Sequence, residues 1–205
     1  MFSLSKIATF ALLALVPFAS AVAQPAPNRA EVASRAAPTT DIVKLLTDTK
    51  GSIGVACAQI TSSPSTLTAA VISSVAAQVN VTLTATTQAL TNNVISGVSG
   101  DVREIVGLVS DIIKLLVDTI ATVPSAEMQL AAALNGLIAL IDKLLAALVI
   151  EVISASTSII TGVGASFKAL IGCVLQSSGT AGEMADYKLD FALAACGLTS
   201  SGTSA

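Results

Sequence analysis

Two sets of side chains in this chain have the types and spacing to do chemistry: the carboxylates of Asp101, Glu104, Asp111 and Asp118, and the thiols of Cys57, Cys173 and Cys196. Two carboxylates brought together could serve as general acid and general base, the arrangement that cleaves glycosidic bonds. These four instead follow one another at steps of three, seven and seven residues, which lays them along one helix face as a solvated stripe. A sugar-cleaving site also wants aromatic platforms, and the chain has no Trp and one Tyr. A thiol nucleophile needs a base to activate it, and there is no His. The cysteine spacings do not match a zinc site. No catalytic residue, metal or cofactor is therefore expected, and the chain reads as a non-enzyme.

Three cysteines leave one thiol over after any single bridge. In an up-and-down bundle Cys57, near the end of the first helix, and Cys173, near the end of the helix before the last, come to the same end. A Cys57–Cys173 disulfide is the expected pairing. Cys173–Cys196 is the rival, disfavoured by the offset of the two along their hairpin, and other pairings or all-buried thiols are the remaining alternatives. Asn80-Val81-Thr82 is the single N-glycosylation sequon, so Asn80 is a candidate glycan carrier.

The elements that must position these groups are written in aliphatic residues: 53% of the chain is hydrophobic and 11% charged. Lys6, the apolar run 7–19 and the small residues Ala21 and Ala23 compose a secretory signal peptide over 1–23. Residues 24–38, with Pro25, Pro27, Pro38, Arg29 and Arg35, read as a flexible pro-like segment. The bundle domain is expected over 39–197, and the Ser-, Thr- and Gly-rich residues 198–205 as a disordered tail. The charge-free stretches 128–141 and 152–167 are too short to span a bilayer, so no transmembrane helix is expected. A net charge of −3 without a basic stripe or stacking aromatics argues against nucleic-acid binding.

Periodicity predicts an all-α antiparallel bundle of five or six amphipathic helices. The clearest segment is 101–123, where Asp101 and Glu104 form a capping-box pair and Arg103, Ser110, Asp111, Lys114 and Asp118 are left for solvent. A second runs over 125–153, with Asp142 and Lys143 opposite its apolar face, and then bends near Ser154 to Gly164 or continues to 175. Segments 41–60 and 65–98 precede them; 79–86 alternates like a strand, yet no other segment alternates to pair with it. A last helix begins at a Thr180–Glu183 capping box, packs Met184, Tyr187 and Phe191 on one face and stops at Gly197.

Taken together, the leader, the Ala-, Val-, Leu-, Ser- and Thr-rich helices of residues 40–197 and the scarcity of aromatics resemble the fungal hydrophobic-surface-binding and cell-wall mannoprotein family. The resemblance implies secretion or cell-wall association, adsorption to hydrophobic surfaces, a bundle that encloses fatty acids in some members, and cell-wall components among the partners. This chain departs from it in carrying three cysteines and more hydrophobic third and fourth helices. The faces of those two helices, with Val109, Ile112, Leu116, Leu134, Ile138, Ile141 and Leu145, are the candidate binding surface for a hydrophobic surface, lipid or fatty acid. The same residues could equally be core, leaving a secreted interaction protein or effector with a purely structural bundle.

Overall fold

The computed structural model describes residues 39–62, 66–92, 94–95, 102–124, 128–159 and 164–199. The expected leader, the segment 24–38, Asp101 and residues 200–205 lie outside the described residues. The chain folds as an all-α bundle: α1 (Ile42–Thr61), α2 (Ala69–Asn92), α3 (Val102–Ala121), α4 (Met128–Ile159), α5 (Gly164–Ser177), α6 (Thr180–Asp186) and α7 (Asp190–Ala195). Two residue pairs add a short parallel bridge, β1 (Thr39–Thr40) to β2 (Val94–Ile95), which ties the start of α1 to the end of α2.

α1 starts where Asp41 folds its carboxylate over the first turn, accepting from the backbone N–H of Val43 at 2.9 Å and of Lys44 at 3.4 Å. α2 settles the strand-like stretch in favour of helix. Its buried residues Ile72, Val75, Val79, Leu83, Thr86 and Leu90 follow three- and four-residue steps, and Val81, which a strand would place beside Val79, is 68% exposed. A buried hydroxyl pair, Thr49 to Thr86 at 2.8 Å, and an exposed amide pair, Gln59 to Gln78 at 3.1 Å, set α1 and α2 antiparallel. Lys50 to Asp111, Gly54 beside Leu115 and Cys57 beside Thr119 then advance together, so α1 and α3 lie side by side and parallel. That is what alternating up-and-down helices require of the first and third.

Contacts run α4 to α2, α2 to α1, α1 to α3, α3 to α5 and α5 back to α4, a closed ring around one aliphatic core. α6 packs on α5, α3 and α7, and α7 lies along α4. Phe167, Ile53, Ile60, Ile105, Ile113 and Leu148 are among the fully enclosed side chains.

Several local expectations are refined or corrected. α4 runs past 153 to Ile159 and α5 begins at Gly164, so the chain divides into two helices inside the expected stretch 154–164, where Thr157 Oγ1 donates back to the Ser154 carbonyl at 2.8 Å. The close approach of α5 to α4 falls at Gly164, where a Cβ would meet Thr157 at 2.7 Å. The single last helix is two. α6 ends in a Schellman cap, with Leu189 N–H on the Met184 carbonyl at 2.9 Å and Lys188 at φ 57. That break turns Phe191 away from Met184, so Met184 is buried while Phe191 is 63% exposed. Thr180 is the first residue of α6 and not its cap; Gly179 caps it, and the Thr180 hydroxyl pairs with Ser178 at 2.9 Å. Gly197 does stop α7, at φ 77, but the ordered chain continues into Leu198, which is 4% exposed and bonds back to Leu193. Finally, Ser110 faces the interior at 5% exposure rather than solvent.

Candidate functional site

The candidate binding residues on α3 and α4 are brought together, and they are brought inside. Val109, Ile112, Leu116 and Leu145 are fully buried, Ile141 and Leu134 nearly so, and Ile138 is partly buried against the same cluster. None of the seven lines a described surface groove. The wide apolar stripe of α3 is used up because α1 covers one flank and α5 the other.

Apolar surface is instead presented elsewhere. Between α1 and α2, Ser52, Val55, Ala77, Gln78, Val81 and Thr82 line an open groove of about 530 Å³. Val55 is 71% exposed there, and Asn80, exposed, stands next to Val81 with its side-chain oxygen accepting from the Thr84 hydroxyl at 3.4 Å. The signal for this surface was present in the chain: residues 51–100 contain no Asp, Glu, Lys or Arg, a charge-free stretch longer than 128–141 and 152–167, so the short-stretch argument against a membrane span does not apply to α2. α2 is also the described helix long and apolar enough to cross a membrane by length and composition, with only 28% of that window buried.

The second apolar surface lies on the outer side of α4, α5 and α7. Ile150 and Phe191 are exposed and line two open grooves of about 400 and 480 Å³, a third of about 470 Å³ lies between α5 and the chain after α7, and Leu170 and Val174, also exposed, line none of them. Two of these share Ala146, Ile150 and Phe191, and two share Lys168. α7 is held in place by a residue expected to face water. Asp142, in the middle of α4 and 6% exposed, accepts from Ala192 N–H at 2.8 Å and Phe191 N–H at 3.3 Å. It satisfies the free N–H groups at the start of α7 from a position 50 residues away, and no local sequence signal could reveal that.

The expected disulfide does not form. All three cysteines are free. Cys57 is buried against Thr119 of α3, whereas Cys173 is exposed on α5, on the far side of α3 from α1. The up-and-down argument considered only the bundle axis and did not place the helices around the ring, where α3 stands between α1 and α5. Cys173 and Cys196 line one groove without bonding. Burial pushes the Cys196 thiol up to about 12 against the opposing pull of Lys168, and burial also raises Cys57 against its hydrogen bond with Thr119. A protonated, enclosed thiol is a poor nucleophile.

Of the carboxylate stripe, Glu104, Asp111 and Asp118 are on the surface of α3. Asp111 pairs with Lys50 at 2.6 Å and Asp118 with Lys114 at 3.5 Å, both well exposed. No group of three or more metal-ligating side chains occurs among the described residues. Comparisons with family models, curated proteins and solved structures return no match for this chain.

Proposed function

We propose that this chain is a non-catalytic secreted protein that binds hydrophobic surfaces or lipids through the outer faces of an aliphatic helical bundle. The observation that carries the reading is the exposure of large apolar side chains, Val55 and Val81 on one side and Ile150 and Phe191 on the other, along open grooves of a bundle whose core is already filled. Core formation does not account for them. The proposed faces differ from those of the sequence reading: α1 with α2, and α4 with α5 and α7. The test is adsorption of the purified protein to hydrophobic beads, with native mass spectrometry for co-purified lipid. Absence of both removes the proposal.

A second reading, a secreted interaction protein or effector with a purely structural core, is favoured by the burial of Val109, Ile112, Leu116 and Leu145. A saturable protein partner together with no adsorption and no lipid supports it instead.

A further inference from the structure

Resting on secretion as proposed above, we infer that Asn80 carries an N-linked glycan that lies over the open α1–α2 groove and keeps that side of the bundle in water. The side formed by α4 and α7 is then the one left to meet a hydrophobic surface. Asn80-Val81-Thr82 is the single acceptor sequon of the chain, and the fold puts it on view. Asn80 is exposed at the middle of α2, its side-chain oxygen accepts from the Thr84 hydroxyl at 3.4 Å, and its amide nitrogen donates to no protein group among the described residues. That nitrogen is the atom modified. On the transferase of the secretory lumen it attacks the anomeric carbon of a polyprenyl-diphosphate-linked oligosaccharide; a carbon–nitrogen bond forms, the bond from that carbon to the diphosphate oxygen breaks, the amide gives up a proton and the lipid diphosphate leaves.

The surface around Asn80 lacks what keeps the other helices wet. α3 solvates its outer face with Asp111, Lys114 and Asp118, whereas the second half of α1 and all of α2 fall within the charge-free residues 51–100. Val55, Ala77, Val81 and Ala85 are exposed there. Val81 and Thr82, the second and third residues of the sequon, themselves line the groove of about 530 Å³, with Val55 contributed by α1, so the attachment point and the groove are contiguous. A glycan is bulky and strongly hydrated, and the C–H faces of its rings pack on aliphatic side chains while its hydroxyls face water. The opposite side differs in kind. Its grooves are lined by Lys143 and Lys168 and it has no sequon, so it is solvated without sugar and stays open.

The test is expression of the full chain in a eukaryotic secretion host, with intact and peptide mass spectrometry before and after a peptide N-glycosidase, which leaves an aspartate where a glycosylated asparagine stood. Glycan at Asn80 is expected, retained in Thr82→Ser and absent from Asn80→Gln and Thr82→Ala, each variant checked for helicity by circular dichroism. Adsorption to hydrophobic beads and self-association by sedimentation velocity are then compared. Native removal of the sugar and Asn80→Gln are each expected to raise adsorption by about tenfold, the gain from burying roughly one more valine side chain, and Val81→Ser in the Asn80→Gln background to reverse most of it. The inference is overturned, and the wider reading kept, if secreted and adsorbing protein has a bare Asn80 or if losing the sugar changes neither adsorption nor self-association. Protein that self-associates on losing its sugar but adsorbs in neither form upholds the cover and overturns adsorption as the function. A chain that does not reach the medium overturns both.

Discussion

Single residues show where local chemistry was legible and where it was not. The stop at Gly197 was readable because only the left-handed backbone at φ 77 completes that cap, and glycine adopts it without strain. Lys188 holds the same kind of position at φ 57, where a Cβ is costly. Lys188→Gly is therefore expected to stabilise the fold by up to about 1 kcal/mol, read as a higher urea midpoint. The interior also encloses the hydroxyls of Ser110 and Ser156 without hydrogen-bond partners among the described residues, and Ser110→Ala is expected to add about 1 kcal/mol in the same assay. Cys196 contributes through protons. Its folded pKa of about 12 lies above the ordinary 9.0, so the unfolded thiol loses its proton first as pH rises. The associated stability is complete below pH 9.0 and is lost as pH climbs towards 12. Denaturation in that window should show a shallower pH dependence for Cys196→Ala than for the parent.

Among elements, the long amphipathic helices were legible and their short neighbours were not. α3 was found by its stripe of Ile105, Val109, Ile112 and Leu116, because burial on one side of a helix imposes that spacing whatever its neighbours are. The α6–α7 break was hidden because Met184, Tyr187 and Phe191 also satisfy helical spacing, and the left-handed turn at Lys188 carries no glycine to announce it. What replaces continuity is the carboxylate of Asp142, which anchors the α7 N-terminus in trans. Asp142→Ala should cost about 2 kcal/mol, from the lost cap and the unsatisfied N–H groups it leaves. Hydrogen exchange provides the sharper readout: the amides of Phe191 and Ala192 should lose protection ahead of the α1–α3 amides. Equal loss across the bundle would instead mean that α7 is not a separately held element.

For the whole molecule, the aliphatic excess divides into a filled interior and two exterior faces, a division that periodicity cannot supply. A helical stripe identifies which residues share a side; only the ring order of the helices, with α3 between α1 and α5, decides whether that side meets protein or water. α4 makes the point within one element. Ile141 and Leu145 face inward, while Ile150, a few residues on, is 56% exposed. Stability and binding should therefore separate by position. Leu116→Ala and Ile141→Ala are expected to lower stability by about 2–5 kcal/mol each, as buried truncations do, while leaving bead adsorption unchanged wherever the protein is still folded. Ile150→Asp with Phe191→Ser should do the reverse, reducing adsorption with a stability change within about 0.5 kcal/mol, because exposed side chains contribute little to folding. Adsorption lost through Leu116→Ala at full occupancy of the native state would mean that the bundle opens to bind, returning the α3–α4 face to the centre of the mechanism.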